Sequence, residues 1–181
     1  MKKRISTLLC LLALAMTGIQ AKDYNVKDYG AIGNGKVLDH HAINTAIDSC
    51  VAHGGGRVVL PAGTYLCGSI RMKSHVELHL MTGSKILAAP ASMKAYDEAE
   101  VFEGTAYQDG GHTYFKNSLI YAIGANDVSI TGRGMIDGEG LTRRDTEKGG
   151  NLQGGNIGTG DKAIALKQCR NILIRDVTIY R

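Results

Sequence analysis

The side chains whose types and spacing could do chemistry are few, and each has a plain structural alternative. His75, Glu77 and His79 alternate along one side of a predicted strand, a pattern that invites a metal assignment. At the rise of a strand, histidines four residues apart sit about 13 Å from each other, too far to share one ion. The same alternation turns Val76, Leu78 and Leu80 inward, so a solvated outer face is expected for the three polar residues. Asp137 and Glu139 form a close carboxylate pair in a glycine-rich turn, where they could meet a sugar or calcium. Turn chemistry beside Gly138 and Gly140 explains acidic residues there without any ligand. Gly30–Val37 nearly spells a phosphate-binding loop, but Val37 replaces the hydroxyl that would hold magnesium. A helix starting at Asp39 also begins too late to cradle phosphate. His53 followed by Gly54, Gly55 and Gly56 is like an esterase oxyanion loop, yet the chain has no Gly-x-Ser-x-Gly elbow. A glycine helix stop is the better account. Cys50, Cys67 and Cys169 allow at most one disulfide, and their apolar neighbours predict small buried thiols. No residue is assigned a catalytic, cofactor-binding or metal-ligating role.

The elements that must position these groups are mostly strands. The 181 residues hold 24 glycines but only 2 prolines, and β-branched residues are spread through short runs. One helix is expected, over Asp39–Val51 and reaching His53 at its stop, with Asp39 as N-cap and Ala42, Ile43, Ala46, Ile47, Cys50 and Val51 at helical spacing. Strands follow at Arg57–Leu60 and Thr64–Cys67, around a turn at Pro61–Gly63. Beyond them, one strand–turn–strand unit recurs without helices. Val76/Leu78, Val128/Ile130 and Ile172/Ile174 occupy equivalent places, and Ile86, Ile136 and Ile179 follow after a turn. Such recurrence is the signature of a solenoid, in which each coil buries its inner face by stacking on its neighbours. Intervals of 52 and 44 residues exceed a compact coil of roughly 20–30 residues, so each turn has room for one excursion. These are read as projecting loops over residues 90–115 and 138–160. The helix is then the lid that covers the first coil. A β-sandwich is the alternative architecture.

The first 21 residues read as a secretory leader. Lys2, Lys3 and Arg4 precede an apolar run, Leu8–Met16, and Ala21 offers a small residue for cleavage. Cys10 could suggest a lipoprotein anchor, but Leu9 before it is too large and too little apolar sequence precedes it. Three of the 21 basic residues lie in the leader, which leaves 18 against 17 acidic ones and no basic stripe for nucleic acid. A secreted or periplasmic protein is expected, with no cofactor.

Tyr24–Gly35 resembles the opening of pectin-degrading β-helix proteins, above all the polygalacturonases of glycoside hydrolase family 28. The resemblance continues through Ala42–Ile47, Gly54–Tyr65 and Val76–Leu80, and resumes at Ile130–Gly140 and Asn171–Ile179. Asn34 stands where an Asp is usual and His40 where a Thr is usual. The resemblance implies a right-handed parallel β-helix and a hydrolase of acidic, galacturonic-acid polysaccharide. It also implies inverting chemistry by two carboxyl groups about 6.5–9.5 Å apart. The family's Asn-Thr-Asp, Asp-Asp, Gly-His-Gly and Arg-Ile-Lys motifs do not carry over. Asn44-Thr45 is followed by Ala46 in the lid helix, Gly110-Gly111-His112 lacks the last glycine, and Arg4-Ile5 lies in the leader. Arg181 ends the chain inside a strand pattern, so residues 22–181 are expected to be the N-terminal part of a truncated β-helix, inactive alone and prone to aggregate. A polysaccharide lyase and a non-catalytic carbohydrate-binding adhesin are the competing readings. A lyase would need clustered acidic ligands for calcium and a base to take the proton.

Overall fold

A computed structural model describes residues 22–100, 114–138 and 162–180. The chain winds into a right-handed parallel β-helix whose coils stack three sheets. Sheet A joins β1 (Asp23–Asn25), β3 (Gly56–Leu60), β6 (Val76–Leu80), β9 (Asn126–Gly132) and β12 (Arg170–Ile174). Sheet B joins β2 (Asn34–Leu38), β4 (Gly63–Cys67), β7 (Ser84–Ala88), β10 (Met135–Asp137) and β13 (Thr178–Tyr180). Sheet C joins β5 (Ile70–Arg71), β8 (Ile120–Ile123) and β11 (Ile164–Lys167). All pairings are parallel.

The register is the one that the apolar spacing predicts. In sheet A, Tyr24, Val58, Leu78, Ile130 and Ile174 stack one above another. In sheet B the stack is Tyr65, Ile86, Ile136 and Ile179. Period-two alternation turns these side chains into a core running along the axis. Two features go beyond the sequence reading. Val58 and Leu78 are partners 20 residues apart, so one coil is compact and Arg57–Leu60 belongs to the repeat. Three of the units also have a third strand, in sheet C, rather than two strands and a turn.

Helix α1 (His40–Ala52) closes the first coil, burying Ile43, Ala46, Ile47 and Cys50 against the strands. It also completes sheet C. The Asn44 side-chain amide donates to Ser69 O (2.9 Å) and accepts from Arg71 N (2.8 Å). Those are the bonds a neighbouring strand would make, so the open edge of β5 is satisfied by one side chain. Gly54 and Gly55 end the helix at positive φ, with Gly55 N bonded to Cys50 O at 2.9 Å.

Asp39 departs from its expected role. It sits before the helix but makes no side-chain cap bond. Its carboxylate instead accepts from Ile32 N (2.6 Å) and Gly33 N (3.0 Å). Residues 101–113 and 139–161 of the two excursions, the whole leader with Cys10, and Glu139 lie outside the described residues. The described start of the first excursion does not project as expected. It folds back through a short 3-10 turn, Ala91–Met93, and lies on Gly68, where a Cβ would come within 1.8 Å of Ala95 O.

Candidate functional site

Both excursions leave at the end of a sheet B strand and return at the start of a sheet C strand. One joins β7 to β8 and the other β10 to β11, whereas only Gly68 and Ser69 link β4 to β5. Chain has therefore been added where strands of sheet C begin.

The outgoing limb of the first excursion is held by a polar clasp. Arg71, on β5, donates two bonds to Asp97, at 2.7 and 2.5 Å, and Tyr121, on β8, donates a third at 2.8 Å. Arg71 and Tyr121 are register partners, so the outward faces of two adjacent coils converge on one carboxylate. Ser69 adds its hydroxyl, accepting from Asp97 N at 3.0 Å and donating to Ser118 O at 2.9 Å. Burial pushes the Asp97 carboxyl up, but the bonds from Arg71 and Tyr121 outweigh it, and its pKa ends below the usual carboxylate value. Tyr121 is pushed up to about 12 by burial and by Asp97. Behind the clasp, His40 is buried with no partner for Nδ1. Burial and the adjacent His41 push it down to about 4, so it is neutral at pH 7. Asp97 is thus a fixed anion, and Tyr121 and His40 keep one protonation state through the neutral range. These groups can hold and orient, but none is poised to move a proton at neutral pH.

Further along sheet C, Phe115 lies between two cations, with Lys162 Nζ 5.3 Å and Lys167 Nζ 5.4 Å from the ring centroid. Glu100 Oε2 accepts from Phe115 N (2.9 Å) and Lys116 N (3.3 Å), tying the two ends of the excursion together. Lys116, Lys162 and Lys167 with Phe115 and Tyr121 make this side cationic and aromatic, a surface suited to an acidic sugar polymer.

The groups singled out in the sequence lie elsewhere. Val76, Leu78 and Leu80 are buried as expected, and His75, Glu77 and His79 face outward. The outer face is not simply solvated, however, because Thr131 Oγ1 bonds Glu77 Oε1 at 2.5 Å and His79 Nδ1 at 2.8 Å. Asp137 is not an exposed turn residue. It is 1% exposed at the end of β10, 3.3 Å from Lys85 Nζ. At Gly30–Val37 the amides that could have met a phosphate are taken within the chain, Ile32 and Gly33 by Asp39 and Lys36 and Val37 by Asn34. Asn44 serves sheet C, and His53 caps the helix C-terminus. Cys50 and Cys67 are buried free thiols, while Cys169 is half-exposed. Among the described residues no three His, Cys, Asp or Glu side chains are grouped to hold a metal. Sequence reasoning missed Arg71, Asp97 and Tyr121 because partners 26 and 24 residues apart leave no local pattern.

A family model for the rhamnogalacturonase A/epimerase, pectate lyase-like group matches residues 24–179. The chain belongs to that family. An exo-poly-alpha-D-galacturonosidase of Dickeya chrysanthemi is 33% identical over 130 residues, 67% of this chain and 20% of the relative. A plasmin and fibronectin-binding protein A of Streptococcus pneumoniae is 33% identical over 156 residues, 85% of this chain and 20% of the relative. Among solved structures, the family 28 exopolygalacturonase of Yersinia enterocolitica superposes with a TM-score of 0.69 at 25% identity, covering 88% of this chain and 35% of that one. The chain spans about a fifth of the length of these curated relatives. The relatives thus include galacturonic-acid polymer hydrolases and one protein named for binding plasmin and fibronectin.

Proposed function

We propose that this chain forms the lidded first coils of an exported glycoside hydrolase acting on acidic pectic polysaccharide, led out of the cell by residues 1–21. The single observation that carries the reading is the cationic, aromatic side of sheet C, set where both excursions return. Uronate carboxylates would pair with Lys116, Lys162 or Lys167, while sugar faces would meet Phe115 and Tyr121. The identity to a galacturonosidase supports the same substrate class. The carboxyl groups that would cleave the glycosidic bond are not assigned to any residue of this chain. Asp97, the carboxylate at the heart of the sheet C clasp, is fixed as an anion and serves position, not proton transfer.

The test uses the whole reading frame in which these residues lie. Purified protein is expected to release reducing ends from polygalacturonate, and the 181-residue chain by itself to release none. Hydrolysis by the isolated chain, or none by the whole protein, would sink the proposal. The match with a plasmin and fibronectin-binding protein over 85% of the chain favours a second reading, a non-catalytic surface protein. Under that reading the whole protein binds polymer or protein ligands and leaves polygalacturonate intact.

A further inference from the structure

On the outer side of sheet A, away from the clasp, an open trough of about 540 Å³ crosses successive coils. Its depth comes from a difference in side-chain size between rungs. The middle rung contributes Thr131, 5% exposed, and then Gly132, where a Cβ would come within 2.0 Å of Leu80 O. The rungs on either side contribute long side chains, His79 from one and Arg175 from the other. With rungs about 4.8 Å apart, these walls stand about 10 Å from each other across a floor that the backbone keeps bare.

The walls are chemically organised. The Thr131 hydroxyl donates to Glu77 Oε1, so the 2.8 Å bond between Thr131 and His79 has the imidazole Nδ1–H as its donor. His79 is thereby held in one orientation, and Nε2 is its remaining polar atom. Arg133, exposed on the rim beside Gly132, has no ion-pair or hydrogen-bond partner among the described residues. Arg175 has only a 3.7 Å approach to Asp176, too long for a strong fork. The remaining arginine of the lining is already satisfied, since Arg57 donates two bonds to Asp23 at 2.8 and 2.7 Å. Two uncommitted guanidinium groups therefore face one notch whose far side offers fixed acceptors.

The geometry points to a second glycan site here, binding a carboxylated sugar unit through Arg133 and Arg175, with Glu77 and His79 receiving its hydroxyls. Guanidinium forks match a carboxylate in two bonds each, and Glu77 excludes a second negative group nearby. A trough along the axis suits a linear polymer, and it lies on a different sheet from the cationic side that would face the reaction. Its role is to hold the polymer while another stretch is processed. The ligand class rests on the acidic-polysaccharide reading above.

The whole protein, wild type and carrying Arg133→Ala with Arg175→Ala, is run through native gels containing polygalacturonate or neutral galactan. The double variant is expected to bind polygalacturonate about tenfold more weakly, as the loss of charge-assisted bonds implies. Its melting temperature and its turnover of a short soluble oligogalacturonide stay unchanged. Equal retardation of both proteins by polygalacturonate overturns the inference, as does wild-type retardation by galactan of the same size. If the whole protein hydrolyses no pectic oligomer yet the retardation still depends on the two arginines, the hydrolase reading fails and this site stands.

Discussion

The two ends of the described solenoid use the same inner residues with opposite results. Near the lid, Tyr24 is 2% exposed, and Val58, Leu78 and Ile130 stacked beyond it are between 0% and 1%. Ile174, the next residue in that stack, is 40% exposed. In sheet B, Ile86 and Ile136 are fully buried and their partner Ile179 is 52% exposed. Side-chain type and strand alternation are the same in both places. What differs is whether a further layer lies over the rung: helix α1 at one end, and no described residue at the other. Burial in this fold is thus conferred by the axial neighbour rather than by a strand's own sequence.

The sharpest way to break that comparison is one substitution made twice. Ile130→Ala should cost about 3 kcal/mol, the transfer and cavity terms of a packed core position. In the 181-residue chain by itself, Ile174→Ala should cost less than about 1 kcal/mol, as at a site with no further rung over it. Urea unfolding of both variants checks the contrast, and equal losses would refute it.

At the lid, Asn44→Ala should cost about 2–3 kcal/mol, because Ser69 O and Arg71 N both lose their buried partner. Thr45→Ala, one residue along on the exposed side of the helix, should change stability by less than about 0.5 kcal/mol. Thermal melts of the pair decide whether the helix closes sheet C through this amide or merely by covering it.

The lid should also weaken in acid. His40 has a folded-state pKa near 4, below its ordinary value of 6.5, so the unfolded chain takes up the proton first. Its contribution is complete above pH 6.5, declines as pH falls, and is exhausted once pH passes about 4. The loss is on the order of 3 kcal/mol. Replacing His40 by Asn should flatten stability across that window, and an unchanged slope would show that His40 is not the titrating group.

The smallest effect is expected away from either end. Asp97→Asn keeps the shape of the clasp but removes its charge, and Arg71 is half-exposed. Global stability should fall by less than about 1 kcal/mol. Amide exchange of residues 94–97 should quicken while exchange in β6 stays as it was. Uniform change across the chain would contradict the clasp's local role.

How much of this could be read from residues follows the same physics. The stacks through Leu78, Ile130 and Ile136 were legible because an inner face must be apolar at every second residue. Helix α1 was legible for the same reason at its own period. Sheet C was not, since β5 has 2 residues and the inner positions of β8 include the small Ala122, which leaves no alternation to see. Asn44 looked like an ordinary polar helix residue, and Asp39 like an ordinary cap, because the groups they satisfy come from other parts of the chain. The Arg71–Asp97–Tyr121 clasp and the trough at Thr131 depend on which rungs become neighbours. Intervals as unequal as 20, 52 and 44 residues hide that from a linear reading.

Everything rests on that stacking order, and spin labels on outward-facing residues of sheet A test it directly. Glu77 and Ser129 are register partners, about 5 Å apart, and Leu173 is the next rung beyond Ser129, about 10 Å from Glu77. Labels introduced at Glu77 and Ser129 should give strong spin–spin broadening, and labels at Glu77 and Leu173 clearly less. Equal spectra for the two pairs, or stronger coupling between Glu77 and Leu173, would contradict the order of the rungs.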